Sequence, residues 1–113
     1  MRLNYFQLSE NFNLKEFECP CCHTVLLNPL LVSKLQKLRD EWGQPLIITS
    51  GYRCEFHNRE VGGVKRSLHR LGQAADVQVM ASVRDRFRDL AAGCGFSKAI
   101  GYSERNFFHL EIS

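Results

Sequence analysis

The chain has 113 residues, 44% hydrophobic and 24% charged, with a formal net charge of +3. That length suits one compact domain, which buries roughly 65% of the surface its unfolded chain exposes; the composition excludes a disordered or low-complexity protein. The small positive excess suits an anionic partner such as a cell-wall polymer and is too weak to point to nucleic acid. No apolar run approaches the ~20 residues of a transmembrane helix, so no membrane span is expected. The opening stretch, Met1 to Gln7, lacks the apolar core of a signal peptide. The expectation is a monomer made in the cytoplasm.

In chain order, Asn13 and Glu16 have the spacing of a capping box, which predicts a short helical turn before Phe17. Cys19 to His23 reads as a compact loop. Asn28 and Pro29 open the clearest helix, as N-cap and first helical residue. Leu30, Leu31, Leu35, Leu38 and Trp42 recur at helical spacing, and Gly43 ends it. Leu46 to Thr49 is a β-rich run and predicts a buried strand. Glu55 to Val61 reads as a short helix, followed by a turn at Gly62-Gly63. Ala74 to Met80 reads as a second strand. Ser82 to Ala92 reads as a second long helix with Val83, Phe87 and Leu90 inward. Ala99 to Tyr102 and Phe107 to Ile112 are the last strands, joined by the polar turn Ser103 to Asn106 as a hairpin. This order predicts an α+β fold over residues 1–113: a small antiparallel sheet with helices packed on it.

There are five cysteines, and an odd number without an export signal argues against a full disulfide framework. Cys94 reads as a small buried residue. Cys19 and Cys22 have the spacing of a zinc-finger pair, but no second pair follows. Cys54 and His23 could complete a site in space. Free thiols in a reducing cytosol are the preferred reading.

The chemistry concentrates in Ser67-Leu68-His69-Arg70-Leu71-Gly72-Gln73-Ala74-Ala75-Asp76. Seven residues bring a His and an Asp to one face only on a helix, and Gly72 with the β-branched residue after Asp76 opposes a helix. A loop folding back at Gly72 would instead set His69 beside Asp76 at the start of a strand. On the last strand, Phe107, His109 and Glu111 share one face, and Phe108, Leu110 and Ile112 share the other. The second set is wholly apolar and must face the core. Two imidazoles, a carboxylate and an open fourth position describe a catalytic zinc site.

The pattern Ser67-x-His69-x-x-Gly72-x-Ala74-x-Asp76 with a late His-x-acid strand resembles the zinc D-Ala-D-Ala carboxypeptidase and L-alanyl-D-glutamate endopeptidase family. That family includes phage endolysins and shares its fold with the Hedgehog signalling domain. Ile47 to Cys54 with His57-Asn58 is similar to the family's strand and following loop, so the likeness runs from about Phe12 to Ile112. The resemblance implies zinc on His69, Asp76 and His109. It implies that Arg53 binds a substrate carboxylate or the carbonyl under attack. It also sets Ser67 in the cleft, where a substrate contact and a turn cap are equal readings. His57 with Asn58 would brace the loop holding Arg53. The family commonly has an acid/base three residues before the last ligand, and here that residue is Asn106. Glu104 is the preferred replacement, with Glu111 the other candidate. The family's cysteines imply that Cys19 to Cys22 lie near Cys54, as a metal site or a disulfide.

The implied activity is zinc-dependent hydrolysis of peptidoglycan stem peptides, with phage or prophage lysis of the cell wall as the setting. A non-catalytic zinc-containing binding or virion module of the same fold is the alternative, kept open by Asn106. A cysteine-based zinc module for nucleic acid is a third reading, opposed by the weak charge.

Overall fold

The computed structural model describes residues 6–63 and 67–112. It is α+β, with a four-stranded antiparallel sheet in the order β1-β2-β4-β3: β1 Ile48–Ser50, β2 Ala74–Gln78, β3 Lys98–Tyr102 and β4 Phe107–Glu111. Among the described residues three α-helices accompany it: α1 Pro29–Trp42, α2 Glu55–Glu60 and α3 Arg84–Gly93.

Local signals set these boundaries. The Asn13 side chain accepts from Lys15 N–H while Glu16 reaches back to Asn13 N–H, which fixes the 3-10 turn Leu14–Phe17. Asn28 caps α1 through Leu30 N–H, and Gly43 closes it in the left-handed region at φ 77°. The buried stripe of α1 is Leu31, Val32, Leu35, Leu38 and Trp42. Leu30, expected inward, is 52% exposed, because the helix turns it about 100° from Leu31 and Val32 takes the inner position. On α3, Phe87 and Ala91 are buried, with Val83 and Leu90 packed beside them.

These side chains form one core with Phe108, Leu110, Ile112, Ala75 and Val77 from one face of the sheet. Phe87 stands at its centre, edge-on to Trp42 at 5.2 Å and tilted against Phe108 at 4.9 Å. The alternation along β4 is as expected: Phe108 and Leu110 face the core, while Phe107, His109 and Glu111 face the other way.

β1 departs from expectation. It starts at Ile48 rather than Leu46, and it is an edge strand, not a buried one, with Ile47 56% exposed. Among the described residues only β2 pairs with it, and the register slips between Ile48 and Ser50. That irregularity turns Ser50 toward Asp76, its partner across the ladder. The β3–β4 hairpin forms as expected, through a 3-10 turn at Ser103–Arg105 and Asn106 at φ 53°.

Candidate metal centre

The second face of the sheet carries the polar residues. Asp76 on β2 lies directly across the ladder from His109 on β4. His69 comes from the 3-10 turn Leu68–Leu71, whose N-cap is Ser67 and whose C-cap is Gly72 at φ 70°. A Cβ at Gly72 would collide with the Leu26 carbonyl, so only glycine lets the chain reverse here. The fold-back expected at Gly72 is therefore present, and it brings His69 over Asp76.

Three donor atoms meet at this point. His69 Nε2 lies 3.3 Å from Asp76 Oδ1 and 3.3 Å from His109 Nδ1, and His109 Nδ1 lies 2.9 Å from Asp76 Oδ1. A tetrahedral zinc with bonds of ~2.0–2.1 Å separates its ligand atoms by about 3.3–3.4 Å. The triangle therefore fits zinc with little movement.

Each donor is held from behind. His69 Nδ1–H donates to the Gly51 carbonyl at 2.7 Å, which leaves the Nε2 lone pair facing the other donors. A carbonyl only accepts, so this tautomer is fixed. His109 Nε2–H donates to Glu111 Oε1 at 2.8 Å, which leaves Nδ1 facing inward. Arg53 donates to Asp76 Oδ2 at 3.3 Å, leaving Oδ1 for the centre. Ordered partners behind the ligands are what a metal site needs to keep its geometry.

The charges answer to this crowding. Burial pushes the Asp76 carboxyl up, but hydrogen bonds and charge from His109 and His69 outweigh it and hold it at about 2. Burial pulls the His109 imidazole down, but hydrogen bonds to Asp76 and Glu111 outweigh it, so it rises above 6.5. Without metal, His109 thus lies between two carboxylates that favour its protonated form.

All the expected site residues line one cleft of about 740 Å³: Arg53, Ser67, Glu104 and Glu111 with the three donor residues. Their roles there differ. Glu111 lies beyond Nε2, so the imidazole ring separates it from the donor triangle. Glu104 stands exposed on the cleft wall. Ser67 Oγ accepts from His69 N–H at 3.2 Å, so it does cap the turn, and it also lines the cleft. Arg53 reaches three acceptors, Ser50 Oγ, Asn58 Oδ1 and Asp76 Oδ2. The brace on Arg53 comes from Asn58, which is buried, and from Ser50. Of the pair His57 and Asn58 expected to brace the Arg53 loop, Asn58 makes the contact, while Ser50 and the Gly51 carbonyl were not expected. A main-chain acceptor leaves no side-chain signal, and Ser50 is recruited only by the β1 irregularity. Asn106 is engaged elsewhere: its side-chain oxygen accepts from Ala81 N–H at 3.2 Å.

A second cluster lies outside the cleft, where the sulfurs of Cys19, Cys21, Cys22 and Cys54 gather. His23, expected as a candidate fourth member, turns its Nδ1 to Glu18 Oε1 at 3.1 Å instead, and Cys21 joins the group. Cys94 is buried as expected and its thiol donates to Glu41.

A family model described as Peptidase M15 matches residues 5–111. No curated protein matches the chain.

Proposed function

The chain belongs to the peptidase M15 family, and we propose that it is a zinc-dependent peptidase hydrolysing stem peptides of bacterial peptidoglycan. Family membership carries the class, a peptidase and hence a hydrolase. The observation that supports the metal is the triangle of His69 Nε2, Asp76 Oδ1 and His109 Nδ1, with edges of 2.9–3.3 Å.

His69, Asp76 and His109 would hold the zinc, which when bound supplies a Lewis acid for the scissile carbonyl and makes water acidic enough to attack near neutral pH. The remaining steps fall to the chain. Gly51 O and Glu111 keep the two imidazoles in the tautomers that leave the inward nitrogens unprotonated. Arg53 presents its cationic donor fork to the cleft, so it would attract a carboxylate or carbonyl oxygen of the substrate. Glu104 takes the proton from the attacking water and returns it to the leaving amine. Its place on the cleft wall supports that role over Glu111, which is committed to His109 on the far side of the ring.

The terminal D-Ala-D-Ala bond and the internal L-Ala-D-Glu bond are the two candidate targets. Purified peptidoglycan incubated with the protein, with and without zinc, and resolved by mass tests this reading. Release of single D-alanine marks the first bond, and release of peptides beginning at D-Glu, with L-Ala left on the glycan, the second. Retention of zinc with no cleaved product would instead support a binding or virion module.

A further inference from the structure

The four cysteines outside the cleft have no part in that reading. Cys21 Sγ and Cys19 Sγ lie 3.3 and 3.6 Å from Cys54 Sγ, and all four sulfurs fall within 4.8 Å of one another. These spacings exceed a disulfide bond of ~2.05 Å. They are close to the about 3.8 Å between sulfurs of a tetrahedral zinc site with Zn–S bonds of ~2.3 Å.

The backbone is shaped for such a site. Cys19 and Cys22 sit on a tight loop closed by His23 N–H to Cys19 O at 2.8 Å and Cys19 N–H to Thr24 O at 2.8 Å. The loop turns at His23, which takes φ 60°. His57 N–H donates to Cys54 Sγ at 3.4 Å. N–H donors aimed at sulfur favour the thiolate, the form that binds metal.

We propose that Cys19, Cys21, Cys22 and Cys54 form a second, structural zinc site that fastens the amino-terminal loop to the segment carrying Arg53. Four thiolates in tetrahedral array are a zinc donor set, and four protein ligands leave no open position for chemistry. The position explains its use. Gly51 packs against the Phe17 backbone, where an added Cβ would come within 2.6 Å, and Tyr52 N–H donates to Phe17 O at 2.8 Å. Cys54 follows at once and caps α2. The zinc would lock these two strips together, and with them the Gly51 carbonyl and Arg53 that stand behind His69 and Asp76. The proposal rests on the cysteines and is independent of the His–Asp centre.

The test separates the two centres by metal analysis of protein purified in reductant. His69→Ala should retain one zinc per chain, and adding Cys22→Ser should remove it. Should the double variant not fold, cobalt substitution of the His69→Ala protein serves instead. An intense near-ultraviolet sulfur-to-cobalt charge-transfer band is expected, and zinc should shield four of the five thiols from titration. A His69→Ala protein that has reduced thiols but holds no metal would overturn the proposal. So would a native chain two hydrogens lighter than its reduced form, which marks a disulfide. If wild type and His69→Ala carry the same single zinc, the cysteine site stands and the His–Asp reading falls.

Discussion

Replacing Glu111 with alanine removes the acceptor behind His109 while leaving every proposed metal ligand in place. The contact is 2.8 Å long and its side chains are 17% and 16% exposed, so water and salt screen it less than a surface pair. A hydrogen bond to a charged partner is worth ~1.5–3 kcal/mol net. Loss of an outer-shell partner of a metal-bound histidine correspondingly costs about 10–100-fold in metal affinity. Glu111→Gln keeps an acceptor oxygen for Nε2–H but drops the charge, so its loss should be about tenfold or less. Competition against a chromophoric zinc chelator at neutral pH reads both values. Turnover at saturating zinc should then be largely restored in Glu111→Gln. Wild-type zinc affinity in Glu111→Ala would refute the positioning role. Wild-type affinity in Glu111→Gln with turnover down by ~10²–10⁴-fold would make Glu111 the proton acceptor in place of Glu104.

Glu104→Gln should show the reverse pattern, unchanged zinc affinity with turnover lowered ~10²–10⁴-fold; turnover within a factor of a few of wild type removes Glu104 from the mechanism. Asp76→Ala should lose the zinc of the His–Asp centre, because Arg53 is then left facing two imidazoles with no carboxylate; metal analysis that finds this zinc retained would contradict the ligand assignment. In the metal-free protein, His109 is raised above 6.5, so its stabilising contribution is complete below pH 6.5 and is lost as pH rises through its folded value. Asp76, held at about 2 against 3.8, contributes above pH 3.8 and loses that contribution as pH falls toward 2. Zinc requires His109 unprotonated, so zinc affinity should fall with decreasing pH while the His109 contribution to metal-free stability grows as pH falls toward 6.5, a crossing that titrations and urea melts would reveal or exclude. Gly72→Ala places a Cβ at φ 70° against the Leu26 carbonyl and should cost about 2–5 kcal/mol in urea denaturation; an unchanged midpoint would mean that the fold-back does not depend on glycine.

The elements that announce themselves with chemistry of their own were legible in the sequence. The Asn28-Pro29 start and Gly43 stop of α1 are local signals, and structure and sequence agree there to the residue. The β4 alternation was equally plain, since three apolar residues on one side can only face a core. β1 was harder. Leu46-Ile47-Ile48 looks like an interior strand, but edge or centre is decided by neighbours distant in sequence. The donors behave likewise: His69, Asp76 and His109 carry a recognisable spacing, whereas their supports do not. Gly51 contributes only a carbonyl, and Ser50 carries no signal until the slip in β1 turns it toward Asp76 and Arg53.

Asn106 occupies the position where the family resemblance leads one to expect an acid, and the structure gives it another task. The hairpin needs a residue at positive φ between the 3-10 turn and Phe107, and asparagine tolerates that conformation better than glutamate. Its side chain then ties the turn to Ala81, beside the start of α3, while its own carbonyl accepts from Val79 N–H. Its side-chain oxygen and its carbonyl are both engaged by the fold, so the proposed mechanism draws its proton acceptor from another residue. Glu104 lies two positions earlier on the same turn, carried by the backbone that Asn106 fixes. A binding module would keep the donor triangle just as well, since holding zinc asks nothing of Glu104. Under the proposed mechanism, the distinction between an enzyme and a retired copy of one therefore lies in that carboxylate, and not in the metal.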